Sequence, residues 1–577
     1  MPIYEKFVGK SRDEFKSLKD AQENYKLTYN DDFNFAYDVI DVLGMEKPDK
    51  LAMLWVSNEG EEKRFTFRDM MLESNRAANF FKSKGIKKGD KVLLVLKRSY
   101  LFWILTLGLH KIGAIMISAT SMLKAKDYTY RCNSAEVKCV IITGDDNCTE
   151  YYDDGEGQYK TVEMKMVTKH KNAGKAWIDL EAEFEACSTE WTRPTGSEAT
   201  NVHDTMLISF SSGTTGYPKI ITHDFSYPLG HIMTGVFWHR VVDGGLHFTV
   251  SDSGWAKCLW GKFYGQWMGE TALLVYDFEK FSGEDILGKL EKYKVTTFCV
   301  PPTMYRFMLQ NDVSKYDLSS LTHCCTAGEA LNPEIFNTWK AATGLEIHEG
   351  FGQSETPVCL ATIYPWCKPI PGAIGYPVPG LDVHVLDEHG KSCQRGTIGE
   401  ICIHYDSVNS HPCGLLTGYN FSVEDTRRAI HDGFYHTGDT AYRDEKGMFR
   451  YVGRNDDVIK SSGYRIGPFE IESVLMEHPS VLEVAVTGVP DKVRGFNVKA
   501  TIVLQKGWTP SDELVSELQN YVKKNTAPYK YPRIIEFVDE LPKTFSGKIK
   551  RTEIRENDLK KSDLKKSDLK KSKKKGK

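Results

Sequence analysis

The chain has 577 residues, 41% of them hydrophobic and 27% charged, and a net charge of −3. That is ample material for more than one large core, and it excludes a disordered polymer. The near-neutral total conceals a segregation: from Leu559 onward ten Lys stand against two Asp, which leaves the rest of the chain at −11.

Thirteen cysteines, an odd number, are scattered without a CxxC or a Cys/His cluster at zinc-like spacing. Neither a disulfide framework nor a structural metal is signalled, and the reducing cytoplasm is the expected compartment. The N-terminus has no signal-peptide apolar core. The most apolar stretch, residues 101–118, is broken by His110 and Lys111. It falls short of the roughly 20 apolar residues that span a bilayer, so no stable membrane insertion is expected.

In chain order, residues 91–96 predict a strand, 100–111 a helix, and 114–118 and 137–142 further strands. That alternation predicts an α/β fold. Two apolar runs, 206–210 and 220–221, flank the loop Ser211-Ser212-Gly213-Thr214-Thr215-Gly216-Tyr217-Pro218-Lys219. Its glycines permit backbone conformations that turn amides inward, its hydroxyls add donors, and Lys219 adds a point charge suited to a polyphosphate. A Walker loop is excluded, because GxxxxGK[ST] must open a helix and Pro218 precedes this lysine.

Composition shifts at the polar run Arg454-Asn455-Asp456-Asp457, after a strand at 448–452. Beyond it, 470–476 predicts a helix, 481–489 and 498–504 strands, and 511–523 an amphipathic helix, together a small α+β domain. The last 19 residues repeat Leu-Lys-Lys-Ser-Asp with a period of five, which fits neither helix nor strand. A solvated tail is expected, and attraction to nucleic acid or anionic lipid is the alternative. No aromatic residues interleave its lysines, which disfavours nucleic-acid binding.

The SGTTGxPK-type loop resembles that of the AMP-forming acyl-CoA synthetases of the adenylate-forming superfamily. Further matches follow in the family's order: Gly328-Glu329-Ala330-Leu331, Glu349-Gly350-Phe351-Gly352-Gln353-Ser354-Glu355, Tyr435-His436-Thr437-Gly438-Asp439, Gly453 to Asp457, Ser462-Gly463-Tyr464-Arg465-Ile466-Gly467, and Pro542-Lys543-Thr544-Phe545-Ser546-Gly547-Lys548. The resemblance implies a large multi-subdomain adenylation domain over 1–453, a hinge at 454–457, a mobile α+β domain over 458–556 and a Lys-rich tail over 557–577. It implies ATP, magnesium and coenzyme A as reactants and cofactor. Glu355 is then the magnesium carboxylate, Phe351 lies against adenine, and Asp439 with Arg454 takes the ribose. Lys548 bridges the attacking carboxylate and the α-phosphate, where a fixed cation stabilises charge developing in the transition state. Asp456 matches the hinge aspartate, Ser462-Gly463-Tyr464 the thiol-tunnel loop, and Arg494 is a candidate for the phosphates of coenzyme A.

The acid pocket is expected from residues 255–267, 300–303, 326–328 and 352–354, with Trp255, Lys257, Trp260, Cys299, Val300, Ala327 and Gly352 as its candidate wall. Acetate-specific relatives carry tryptophan where Gly352 stands, so glycine implies room for a longer chain. Ser251 to Trp255 and Ala527 to Arg533 resemble the medium-chain acyl-CoA synthetase branch, which implies a short-to-medium or branched fatty acid. Lys257 puts a charge beside the apolar wall, where it either pairs with Asp252 or faces the ligand. A non-coenzyme A acceptor, another acid such as acetate, propionate or an aromatic acid, and a non-catalytic nucleotide- or nucleic-acid-binding protein stay open at this point.

Overall fold

The computed structural model describes residues 1–169, 177–211, 218–408, 410–420, 422–462, 464–491, 493–543 and 548–561. Six parallel strands form the centre of a nine-stranded sheet: Ile347–Phe351, His323–Ala327, Thr297–Cys299, Leu246–Thr249, Ala272–Asp277 and Leu51–Ser57, side by side in that order. An eight-stranded sheet holds Thr205–Phe210, Ile115–Ser118, Lys91–Val95 and Cys139–Thr143 in parallel. Runs such as Lys91-Val-Leu-Leu-Val95 and Cys139-Val-Ile-Ile-Thr143 are apolar throughout because both faces of such a sheet are covered. The α/β fold read from alternation is therefore present.

The largest core runs through both sheets and the helices Phe67–Ser83 and Leu101–Ile112. Thr66 starts the first of these helices with a reciprocal cap, accepting from the Asp69 amide at 3.2 Å while Asp69 accepts from the Thr66 amide at 2.8 Å. The two helices cross closely because Gly108 has no side chain: a Cβ there would lie 2.4 Å from that of Ala77. The apolar stretch 101–118 is thus a buried helix followed by a strand, as predicted. No helix among the described residues is long and apolar enough to cross a membrane. All thirteen cysteines are free, and only Cys187 and Cys413 are partly exposed.

A third sheet carries Phe434–Arg443 between Gly399–His404 and Phe449–Arg454. The smaller C-terminal unit pairs Val481–Asp491, Gly495–Leu504 and Ile534–Phe537, with the helices Pro468–Met476 and Asp512–Asn525 on a core of their own. Its last helix covers residues 551–561. Asp558 and Lys561 on that helix pair with Lys499 and Glu536. Residues 557–561, expected in the solvated tail, therefore belong to the folded unit, with Asp558 on the buried Lys499 and Lys561 on the half-buried Glu536. Residues 562–577 lie outside the described part.

Candidate active site

The site is built at the C-terminal ends of parallel strands, where open α/β sheets present their loops. Strand Thr205–Phe210 leads into Ser211, and strand Ile220–Asp224 follows Lys219. The neck of the loop is closed by two bonds: the Ser211 amide donates to the Lys219 carbonyl at 3.0 Å, and the Lys219 amide to Ser211 Oγ at 3.2 Å. Ser212, Gly213, Thr214, Thr215 and Gly216 lie outside the described residues, so their expected phosphate contacts are not described.

Lys219 Nζ stands 3.7 Å from Asp425 and 4.7 Å above the Tyr419 ring. The Tyr419 hydroxyl donates to Glu355 Oε1 at 3.0 Å. The neck lysine and the candidate magnesium carboxylate are thus joined through one tyrosine that no motif signals. Burial raises the Glu355 carboxyl above its ordinary value, while Tyr419, Lys219 and Arg454 pull it down.

Strand Ile347–Phe351 ends in the Gly352 to Glu355 segment. Gln353 is its organiser. Its Oε1 accepts from the Tyr435 hydroxyl at 2.7 Å, and its Nε2 donates to the Thr437 carbonyl at 2.8 Å and to Asp439 Oδ2. Tyr451 donates to the other Asp439 oxygen at 2.8 Å, and Asp439 faces Arg454 across the strand pair. Both carboxylate oxygens of this buried aspartate therefore have fixed donors. Burial raises the Asp439 carboxyl, opposed by Arg454, Tyr451, Gln353 and Lys548. The ring of Phe351 lies 6.3 Å from that of Tyr451.

Gly328, at φ +97°, turns the chain after strand His323–Ala327. It leads into Glu329, which accepts from Thr303 Oγ1 at 2.7 Å, and Ala330. Gly350 abuts Trp238, whose ring would lie 2.5 Å from an added Cβ. Ser354 accepts from His223 Nε2 at 2.9 Å through its carbonyl. The Glu349 carboxylate is buried and, among the described residues, accepts from the Leu331 amide alone, at 3.3 Å. Burial pushes its carboxyl up to about 8, with that amide opposing. A carboxyl raised in this way binds its proton more tightly folded than unfolded, so stability falls as pH climbs from its ordinary value of 4.5 toward 8 and then levels. Glu349→Gln is expected to flatten that decline in urea midpoints measured across the range; an unchanged slope would mean another group titrates there.

The acid wall departs from expectation in three ways. Phe263 and Tyr264, within the expected 255–267 segment, are fully buried, stack on each other and meet Phe35 edge-on, so they are core. Lys257 does not pair with Asp252. Its Nζ donates to the Ala327 carbonyl at 2.8 Å, while Asp252 accepts from the Gly254 amide. The reason is geometric: Trp255 caps the helix Ala256–Gly261, which aims Lys257 at the end of the Ala327 strand, beside Cys299 and Glu329. Burial lowers the Lys257 ammonium, and Lys548 adds to the fall. Gly352, finally, does not leave an open space. A Cβ there would meet Trp260 Cη2 at 2.4 Å and the Pro357 carbonyl at 2.3 Å, so the indole of Trp260 already fills the position. Cys299 and Val300 are buried at the end of strand Thr297–Cys299.

In the C-terminal unit, Asp456 lies 3.2 Å from Arg454 Nε, and its neighbour Asp457 pairs instead with Arg551 and Arg555 of the last helix. Arg551 also holds Glu472 through two contacts of 2.7 Å. Adjacent aspartates thus face opposite sides of the connection between the two units. Lys548 acts electrostatically on both Asp439 and Lys257. Arg494 Nη1 donates to Ser462 Oγ at 3.2 Å, and Tyr464 stacks on Tyr529 at 4.0 Å. The candidate coenzyme residues therefore share one patch; Gly463 lies outside the described residues.

Residues 43–410 match the AMP-binding enzyme family, and residues 470–548 match the AMP-binding enzyme C-terminal domain. The chain is 38% identical to acyl-coenzyme A synthetase ACSM3, mitochondrial, of Mus musculus, over 96% of this chain and 95% of that protein. Its fold matches an anthranilate CoA ligase in complex with anthranoyl-AMP, with TM-score 0.82 and 27% identity over 92% of this chain and 99% of the other. It also matches a Brucella canis acyl-CoA synthetase, with TM-score 0.72 and 30% identity over 95% and 99%. The mouse relative and its rat and human counterparts are named mitochondrial, which overturns the cytoplasmic expectation. Free thiols mark a reducing compartment but do not tell one from another. With both domains matched and the identity sustained over nearly the whole length, the chain belongs to the AMP-binding enzyme family, among its acyl-coenzyme A synthetases.

Proposed function

We propose that this synthetase activates a short-to-medium or branched fatty acid. Acid and ATP form an acyl-adenylate and pyrophosphate; the thiol of coenzyme A then takes the acyl group and AMP leaves. The observation that supports the residue assignment is that Lys548, from the small domain, is near enough to act electrostatically on both Asp439 on the nucleotide side and Lys257 on the acid side. A cation near both groups is suited to the point where carboxylate oxygen and α-phosphate meet, where it stabilises the charge that builds on the phosphate oxygens during attack.

The other roles follow from the donors each residue retains. Asp439, held by Gln353 and Tyr451, takes the ribose hydroxyls, with Arg454 beside it. The loop at 211–219 grips the departing pyrophosphate. Glu355 offers a lone hard-oxygen donor with one oxygen oriented by Tyr419. That suits magnesium, which keeps most of its waters and takes phosphate oxygens; when bound, the ion neutralises phosphate charge. Rotation of the small domain about Asp456 withdraws Lys548 and brings the Ser462 to Tyr464 patch and Arg494 to the adenylate.

Trp260 against Gly352 limits the pocket at one side, which supports a compact acid rather than a long chain. The test is an acid panel from acetate to octanoate with branched and aromatic members, following AMP and thioester with and without coenzyme A. The expected optimum is a short-to-medium acid, straight or branched (on the order of one extra methylene changing kcat/KM by tenfold or more). An acetate or aromatic optimum, or strict dependence on another acceptor, overturns the reading.

A further inference from the structure

Beside the Thr437 to Asp439 segment, but with none of the roles assigned to ATP, acid or coenzyme A, three side chains with metal-binding chemistry converge on one point of the third sheet. They are Glu400 and Cys402 on strand Gly399–His404 and His436 on strand Phe434–Arg443. Each offers a ligand atom, and these atoms all lie within 4.8 Å of one another. Cys402 and His436 are direct cross-strand partners. The register then shifts between Glu400 and Cys402, a bulge of the kind that re-aims a side chain.

Two of the three separations are close to those of a metal's ligand shell. His436 Nδ1 is 3.4 Å from Cys402 Sγ and 3.1 Å from Glu400 Oε2. Tetrahedral zinc, with bonds of about 2.3 Å to sulfur and about 2.0–2.1 Å to nitrogen and oxygen, sets those ligand separations at roughly 3.5 and 3.3 Å. One ring nitrogen faces both neighbours, and a single N–H can serve only one of them. The other carboxylate oxygen, Oε1, is held by the Gly438 amide at 2.8 Å, which fixes the carboxylate in the manner of a supporting shell.

The simpler reading is a hydrogen-bonded pair between Glu400 and His436. It leaves unexplained why the Cys402 thiol faces the same ring nitrogen. An imidazole, a thiol and a carboxylate gathered at one point are a ligand set for zinc, not for magnesium. His436 Nε2 is buried without a described partner in either reading and favours neither. His436 and Glu400 are 16% and 22% exposed, so the cluster is not sealed from solvent.

We propose that Glu400, Cys402 and His436 form a three-ligand zinc site. Binding breaks the Cys402 S–H bond, the proton goes to solvent, and thiolate, imidazole Nδ1 and carboxylate Oε2 each donate a lone pair to the ion.

The test uses the full-length protein, stripped with a chelator and titrated with zinc against a competing chromophoric chelator. One tight equivalent is expected, weakened more than about tenfold in Cys402→Ser and in His436→Gln, since even changes to supporting groups cost 10- to 100-fold. Cys187→Ser, at a partly exposed thiol elsewhere, should keep the full affinity. Cobalt(II) should give a thiolate charge-transfer band that disappears in Cys402→Ser. Circular dichroism on each variant establishes that it is folded. Absence of a tight equivalent in the parent chain overturns the proposal, as does retention of that equivalent in folded Cys402→Ser or His436→Gln.

Discussion

Lys548→Ala is expected to lower acyl-adenylate formation by about 10²-fold or more, the cost of losing a preorganised group that acts on transition-state charge. Thioester formation from supplied acyl-adenylate should largely survive. The asymmetry follows from the lysine's position on the small domain: it acts electrostatically on Asp439 and Lys257 in this arrangement, and a rotated domain would no longer present it. Binding of ATP should change little, because Asp439, Glu355 and the loop neck all belong to the large domain. The decisive measurement is pre-steady-state: pyrophosphate release for the first half-reaction, and thioester from synthetic adenylate for the second. Equal loss in both halves, in a folded variant, would refute the use of one mobile domain for two chemistries.

Trp260→Ala should move the acid preference toward longer chains. The indole edge fills the space over Gly352, where in acetate-specific relatives a different tryptophan closes the pocket. Closure from a neighbouring helix has replaced closure from the loop, so removing the indole opens the same wall. Each methylene newly admitted is worth about 1–3 kcal/mol in a hydrophobic pocket, or 10- to 200-fold in kcat/KM. The variant also leaves a cavity costing about 3–5 kcal/mol. Trp260 Nε1 has no protein partner among the described residues, so no hydrogen bond is lost with it. Trp260→Leu keeps more of the packing and should shift the profile in the same direction by less. An unchanged chain-length profile in both folded variants would mean that the acid approaches along another wall.

The sequence by itself determined the α/β class, because apolar runs at strand and helix periods are local properties of the chain. The stretch 101–118 is the clearest instance: its length and interruption separate a buried helix and strand from a membrane span. It also determined the family, because the motifs that meet ATP are contiguous segments in a fixed order. Asp439, Glu355 and Lys548 could be proposed for that reason. Localisation was not, since thiol content reports on redox conditions and not on an address.

What only the tertiary structure decided are relations between segments distant in the chain. Tyr419 orients Glu355 across 64 positions, and Gln353 joins Tyr435, Thr437 and Asp439 across more than 80. A hydrogen bond over such a separation leaves no periodic trace. The space beside Gly352 was misjudged from sequence because a glycine announces a missing side chain but not what fills the gap. Lys257 was left between two partners for the same reason, and a helix orientation chose a third, the Ala327 carbonyl. Cys402 and His436 are separated by 34 positions, a spacing that matches no zinc motif, and only strand pairing makes them neighbours.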